Sequence, residues 1–251
     1  YKGITIPLPQ MTVDVELKET NIIQERDEII SFISDICGIN NRTEININST
    51  IPVGRGLGSS AALSIAIARA KKLPNVREIA NKCEKFIHGN PSGIDVNQVL
   101  SDTPLLFSKK DGAIPLDFNL GSYLLIIDTG VIGITKETLK HIKQNFENYK
   151  SYIDELGEIT EKVIEPLKKK AIEIVGAYMY KAHGLLQKLG VSHESNDDVV
   201  NICKNNGALG AKLTGGGAGG CCIALSKTKE NAEKIQNELA KKGYKSWIVT
   251  V

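Results

Sequence analysis

Alternation of polar and apolar positions marks the strands in the first half of the chain. Residues 12–17 and 44–48 alternate, which predicts two half-buried β-strands. Short apolar runs at residues 105–107 and 123–127 predict two further strands. Segments with helical periodicity separate these pieces, so the pattern indicates an α+β fold rather than an all-β one.

Helix start and stop residues support the helical segments between those strands. Asp27 predicts an N-cap for a helix with an isoleucine-rich side, which Gly38 ends. The runs 59–70 and 76–88 predict two more helices, and Gly89 lies where the second should stop.

The second half begins with a long helical stretch and then alternates between helices and strands. Residues 135–189 are predicted to be mostly helical, with an interruption at Pro166. The remainder predicts, in order, a helix near 196–205, a strand near 208–213, a glycine run at 215–220, a strand at 221–225, a helix at 231–242 and a strand at 246–251. This order is typical of a ferredoxin-like layer with helices on one face. We expect two domains, residues 1–125 and 126–251.

Composition and charge narrow the class of partner. A net charge of +2 gives no reason to expect nucleic acid or an acidic membrane surface. No apolar run approaches the length of a membrane span. The five cysteines show no metal-ligand spacing and no secretory signal precedes them, so we expect a cytoplasmic protein with reduced thiols.

The glycine-rich segment at residues 52–62 is the strongest sign of chemistry. Gly54, Gly56 and Gly58 alternate with larger residues, and a serine pair then opens a predicted helix. Glycines allow a tight turn or a close approach to a ligand, and a helix N-terminus directs its unpaired N–H groups into that turn. The segment therefore predicts an anion site suited to the phosphates of a nucleotide. No lysine precedes the serines as in a Walker A loop, and the glycine spacing is too tight for a Rossmann loop.

A second glycine-rich segment, residues 215–220, joins two predicted strands. A flexible hairpin loop is the simpler interpretation. A loop this short rarely contains so many glycines, since each costs about 0.5–1 kcal/mol of folding entropy relative to alanine. We therefore expect it to approach a ligand or the first glycine loop closely.

Two carboxylates complete the candidate site. Glu84 lies on a predicted helix, and Asp95 follows eleven residues later, beyond a Pro/Gly turn. A carboxylate and a serine hydroxyl are hard oxygen ligands suited to Mg²⁺, so Glu84 with Ser59 or Ser60 is a candidate metal site. Asp95 would then face a substrate alcohol. Taken singly, Glu84 is better explained as a solvated helix carboxylate and Asp95 as a turn or cap residue.

These segments together resemble the GHMP small-molecule kinases. Residues 52–62 match the central P-x-G-x-G-L-G-S-S-A-A motif of that family, and the late glycine run matches its C-terminal motif. Within the family, residues 88–95, 128–131 and 207–214 resemble the mevalonate kinases. The resemblance implies an S5-like N-terminal domain that binds ATP and a ferredoxin-like C-terminal domain.

The resemblance also implies roles for individual residues. Ser60 and Glu84 would hold Mg²⁺, and Asp95 would be the catalytic carboxylate near the C5 hydroxyl of mevalonate. The nucleotide would be held by Pro52, Gly54, Arg55, Gly56, Leu57, Gly58, Ser59, Ser60 and Ala61. The substrate end would be formed by His88, Ser92, Gly93, Thr135, Gly215, Gly216 and Gly217. Without the resemblance, His88 and Thr135 are explained equally well as helix-end residues.

One feature departs from the family pattern. Family members begin with a strand and a G-E-H motif preceded by a lysine that contacts the phosphate, whereas this chain opens at Tyr1-Lys2-Gly3-Ile4. We expect the missing strand and motif to precede Tyr1. One alternative is another kinase of the family, such as a phosphomevalonate kinase with Arg55 and Lys136 facing its acceptor. The other, which the absent motif favours, is a non-catalytic nucleotide-binding relative. The expected partner is a small molecule, with a homodimer as the alternative to a monomer.

Overall fold

The helices and strands group into two units in the computed structural model. It describes residues 2–133 and 135–251, apart from the side chains of residues 135–137 and 139. One unit, called here the N-terminal unit, comprises Thr5–Val53 and Leu57–Pro115. The other, the C-terminal unit, comprises Leu116–Val251 together with Gly54–Gly56 and the first residues through Ile4.

The N-terminal unit packs helices against a two-stranded antiparallel ribbon. Its ordered elements, after β1 (Lys2–Thr5) at the start of the chain, are β2 (Val13–Glu19), α1 (Glu28–Cys37), β3 (Thr43–Ser49), α2 (Ser59–Ala70), α3 (Val76–His88), α4 (Ile94–Val99), β4 (Leu105–Ser108) and β5 (Gly112–Pro115). Strand β2 pairs with β3, and β4 pairs with β5. The apolar faces of α1, α2 and α3 meet in one core cluster that includes Ile33, Ile67 and Ile79.

Local residue chemistry sets the ends of these helices. The Asp27 carboxylate accepts a hydrogen bond from the Ile30 N–H at 2.8 Å, which satisfies a first-turn donor of α1. Gly38 adopts a left-handed conformation with φ of 64° and ends the helix. The predicted cap and stop of this helix are both confirmed.

The C-terminal unit is a four-stranded antiparallel sheet covered by helices. Its elements are β6 (Tyr123–Asp128), α5 (Thr135–Gln144), α6 (Phe146–Lys162), α7 (Ile164–Lys168), α8 (Ile172–Lys188), α9 (Glu194–Asn205), β7 (Gly210–Leu213), β8 (Cys221–Ser226), α10 (Lys229–Lys241) and β9 (Lys245–Thr250). The strand order is β7-β8-β6-β9. In this register Leu125 lies opposite Ala224 on one side and Ile248 on the other.

Helix α8 and strand β7 approach so closely that both need glycine at the contact. A Cβ on Gly176 of α8 would lie 2.3 Å from the carbonyl oxygen of Leu209, and one on Gly210 would lie 2.3 Å from the carbonyl oxygen of Gly176. Real Cβ atoms do not approach backbone atoms so closely, so each glycine is required by close packing rather than by a turn.

Most predicted elements are confirmed, including the interruption at Pro166: α6 ends at Lys162, and Pro166 lies in the first turn of α7, where its missing N–H has no helical acceptor to lose. The sequence did not predict strands β1 and β5. It also predicted no helix at residues 94–99, which form α4, so Asp95 lies on the first turn of a short helix. A division of the chain at residue 125 stays a prediction.

No helix in the described part of the chain is long and apolar enough to cross a membrane.

Candidate active site

The first glycine loop uses glycine where its backbone needs it. Gly54, Gly56 and Gly58 have φ angles of 72°, 73° and 69°, a region that side-chain-bearing residues rarely adopt. Gly58 is also the N-cap residue of α2, so no capping side chain covers the first turn of this helix. The loop therefore leads directly into an exposed set of helix N–H donors, the arrangement that binds phosphate in other proteins.

The second glycine loop lies against the tip of the first within the C-terminal unit. A Cβ on Gly215 would be 3.2 Å from the Cα of Gly56, and one on Gly220 would be 3.0 Å from the carbonyl oxygen of Arg55. The N–H of Cys221 donates to that same oxygen at 3.1 Å. The expectation that the second glycine loop closely approaches the first is therefore confirmed.

Arg55 is held by an ion pair beside these loops. Its Nε lies 2.8 Å from Oδ1 of Asp128, with both side chains about six-sevenths buried at 16% and 14% exposure. Its Nη2 donates to the carbonyl oxygen of Gly130 at 3.0 Å. The guanidinium is therefore already engaged by the turn after β6, and sequence reasoning assigned Asp128 no such role.

Ser60 and Glu84 come together at the start of α2. Ser60 is the second residue of α2, and Glu84 lies on α3, which packs beside it in the N-terminal unit. The serine hydroxyl donates to Oε1 of Glu84 at 2.5 Å, and Glu84 is only 3% exposed. Of the two serines considered for the metal, Ser60 is the one that contacts Glu84.

The Ser60–Glu84 pair fits the chemistry of a magnesium site. Both groups offer hard oxygen atoms, and Mg²⁺ usually takes only one or two protein oxygens and fills its other positions with water and phosphate oxygens. Among the described residues, no group of three or more histidine, cysteine or acidic side chains could form an all-protein metal cage. Ser60 and Glu84 would supply the protein oxygens of such a site.

Asp95 lies next to this pair on the first turn of α4. Its side-chain atoms are 3.5–3.7 Å from the position that a Cβ on Gly58 would take, so Asp95 lies beside the N-cap residue of α2. Burial is the main reason that the pKa of Asp95 is raised to about 6; the negative charge of Glu84 adds to the shift and His88 opposes it. The structure thus brings together Gly58, Ser60, Glu84 and Asp95, as the chemistry required.

His88 lies beside the candidate metal ligands. Its Nε2 is 3.3 Å from the hydroxyl oxygen of Ser60 and 3.7 Å from Oε2 of Glu84. A role at the substrate, which the resemblance implied, stays a prediction. In the structure, the His88 imidazole contacts the side chains of Ser60 and Glu84, and His88 lies one helical turn after Glu84 on α3.

The other substrate and nucleotide residues have more local structural roles. The Ser92 hydroxyl accepts from the N–H of Ile94 at 3.2 Å, and Gly93 is the N-cap residue of α4 with φ of 86°. Ala61 is fully buried in the core, so only its backbone is available to a nucleotide. The side chain of Thr135 lies outside the described residues, although its backbone begins α5.

Sequence reasoning missed a buried asparagine that holds the second glycine loop. Both polar atoms of the Asn196 side chain bond to the backbone of Gly219, at 3.0 Å each. The sequence placed Asn196 only at the start of a helix. A capping pattern from His193 to Asn196 was the available signal, but it does not reveal a contact with a loop 23 residues away.

An uncapped helix N-terminus beside a serine hydroxyl and two carboxylates is suited to phosphoryl transfer. Family models agree: the GHMP kinases N terminal domain matches residues 21–101, and the GHMP kinases C terminal domain matches residues 163–245. The chain belongs to the GHMP kinase family, and it is an ATP-dependent small-molecule kinase.

Several of its relatives are named mevalonate kinase. The mevalonate kinase of Thermococcus sibiricus is 31% identical over 249 residues, covering 91% of this chain and 74% of the relative. The mevalonate kinase of Pyrococcus furiosus is 31% identical over 255 residues, which cover 90% of this chain and 75% of the relative. The mevalonate kinase of Arabidopsis thaliana is 30% identical, covering 96% and 73%.

Solved structures show the same fold. The L. major mevalonate kinase in complex with R-mevalonate superposes with a TM-score of 0.87 at 23% identity, covering 99% of this chain and 89% of the other. The Methanococcus jannaschii mevalonate kinase superposes with a TM-score of 0.75 at 24% identity, and the match covers 100% of this chain and 92% of the other. The predicted two-domain GHMP fold is therefore confirmed.

Proposed function

We propose that this kinase transfers the γ-phosphoryl group of ATP to the C5 hydroxyl of (R)-mevalonate, giving 5-phosphomevalonate. The observation that carries this proposal is the cluster of Ser60, Glu84 and Asp95 at the open N-terminus of α2. The choice of acceptor is supported by relatives named mevalonate kinase that align with nine-tenths of the chain or more.

Each residue of the cluster has a distinct task. The first-turn N–H groups of α2, reached through Gly58, bind the phosphates and favour negative charge there. Ser60 and Glu84 would hold the metal, and Mg²⁺ would supply positive charge that neutralises the phosphate oxygens. Asp95 orients the acceptor hydroxyl and accepts its proton. Its raised pKa lies closer to neutral pH than that of an ordinary carboxylate, which makes it a stronger base.

The nearest alternative acceptor is already phosphorylated. Phosphomevalonate would call for a free cation at the substrate end, and Arg55 was one of two candidates. Its guanidinium is instead paired with Asp128, and the side chain of Lys136 lies outside the described residues. We therefore favour mevalonate, acting in the cytoplasm, where the five free cysteines stay reduced.

A coupled assay of ADP release tests the acceptor. Purified protein with ATP and Mg²⁺ is offered mevalonate, phosphomevalonate, homoserine and galactose in parallel. We expect turnover to depend on mevalonate, with the other alcohols at least a hundredfold less efficient in kcat/KM. Turnover on another alcohol instead would overturn the substrate and leave the kinase class intact. ATP binding by calorimetry without transfer to any acceptor would favour a non-catalytic relative.

A further inference from the structure

The second glycine loop has one half that is anchored and one that is open. The N–H of Ala218 donates to the carbonyl oxygen of Val191, and the N–H of Gly220 donates to that of Val131, each at 2.8 Å. By contrast, the backbone N–H groups of residues 215–217 find no acceptor within the described chain, and residues 215 and 216 are exposed. The open half therefore offers donors to a ligand, and the anchored half sets where those donors lie.

Asn196 is the side chain that holds the anchored half. Its Oδ1 accepts from the N–H of Gly219 at 3.0 Å, and its Nδ2 donates to the carbonyl oxygen of the same residue at 3.0 Å. The amide thus bonds to Gly219 as a neighbouring β-strand would. Gly219 has φ of 111°, and a Cβ there would lie 2.8 Å from Cγ1 of Val131, so no other residue type can take its place.

The remaining bonds of Asn196 fix the amide itself. Its Oδ1 also accepts from the N–H of His193 at 3.1 Å, which ties it to the N-terminus of α9. Its Nδ2 lies 3.4 Å from the sulfur of Cys222, the second residue of β8. The side chain is fully buried with every donor and acceptor used, so its orientation is determined by α9 and β8.

We propose that Asn196 is a positioning residue: it clamps Gly219 so that the open half of the second glycine loop, residues 215–217, keeps its unpaired N–H groups available to a ligand of the kinase. This proposal rests on the proposed function, because the ligand is taken to be a substrate of the kinase reaction. Leucine has the same branching and number of side-chain heavy atoms, although it is larger, and it would leave the N–H and carbonyl of Gly219 unpaired because it cannot form hydrogen bonds. Aspartate would keep the acceptor and replace the donor by a carboxylate oxygen facing a carbonyl oxygen.

Kinetics of Asn196→Leu and Asn196→Asp test the clamp against a purely structural role. The matched control is Val199→Ala, which removes a fully buried side chain on the same helix that packs in the sheet core. We expect kcat/KM to fall at least tenfold in both Asn196 variants, mainly through higher KM values, with less than a threefold change in Val199→Ala at a comparable loss of Tm. An Asn196→Asp enzyme within threefold of the parent would overturn the proposal.

Hydrogen exchange gives a readout that does not need activity. In the unliganded protein, Asn196→Asp should speed exchange at the amides of residues 218–220 at least tenfold and leave the strands β6 and β9 unchanged. Unchanged exchange at the loop would contradict the clamp even if activity fell. If the parent protein phosphorylates no mevalonate, the proposed function fails, whereas the exchange result still decides whether Asn196 holds the loop. Asn196→Leu provides the same comparison if the aspartate variant does not fold.

Discussion

Asp95 is a carboxylate that its surroundings make harder to ionise. Asp95→Asn removes the proton acceptor and keeps the shape of the side chain, so we expect kcat to fall about 10²–10⁴-fold while ATP still binds. Steady-state kinetics and calorimetry measure the two effects. Asp102→Asn, an identical change at an exposed position, is the control and should leave kcat unaltered. Near-normal turnover of Asp95→Asn would exclude Asp95 from catalysis.

The charge of Asp95 should lower the free energy of unfolding at neutral pH. The pKa of Asp95 is about 6, above the value of about 3.9 for an unfolded chain, so the folded state binds the proton more tightly. Stability is then lost as the pH rises through this window. We expect Asp95→Asn to be more stable than the parent at pH 8, by on the order of 2 kcal/mol, and equal to it below about pH 4. Urea unfolding with a chelator present measures this; a gain that is independent of pH would contradict it.

Glu84 is the carboxylate that we propose as a ligand of the metal. Glu84→Gln keeps a hydrogen-bond acceptor for Ser60 and removes the charge, so we expect the Mg²⁺ concentration for half-maximal activity to rise at least tenfold. Glu78→Gln, on the exposed side of the same helix, serves as the control. A magnesium dependence that is the same in both variants would argue against Ser60 and Glu84 as ligands.

At the scale of elements, the two glycine loops depend on an ion pair at the end of β6. Because Arg55 and Asp128 are both largely buried, removing one partner leaves the other charge uncompensated. In a double-mutant cycle of Arg55→Gln and Asp128→Asn, we expect a coupling free energy of about 1–3 kcal/mol by chemical denaturation. The exposed pair Lys162 and Glu158 is the reference, and its coupling should be much smaller because solvent screens both charges. Equal couplings would mean that the loop pair contributes no more than a surface contact.

Local signals explain which elements the sequence could predict. The helices α1, α2 and α3 carry their own periodicity and stop residues, so they were predicted within a residue or two. Helix α4 has only six residues and follows a Pro/Gly turn, so periodicity had too few positions to reveal it. The contact of Asn196 with Gly219 depends on how α9 packs beside β8, which no local pattern encodes.

At the scale of the whole molecule, the glycine motifs were enough to predict the fold class. The P-x-G-x-G-L-G-S-S-A-A segment and the late glycine run meet backbone requirements that only glycine satisfies easily, and both lie within the stretches that the two GHMP kinase models match. The pairing of Ser60 with Glu84 was predicted because metal chemistry restricts the residue types. The pairing of Arg55 with Asp128 was not predicted, since arginine in a phosphate-binding loop is explained equally well by a ligand.

The crossing of α8 and β7 has a consequence at the level of the gene. Every single-base change that alters the meaning of a glycine codon either adds a side chain or creates a stop codon. Gly176 and Gly210 have no space for an added side chain. Their codons should therefore accept only silent third-base changes in a library of random variants. This intolerance would come from the close packing of two backbones, so it would mark both positions as vulnerable whether or not they contact a ligand.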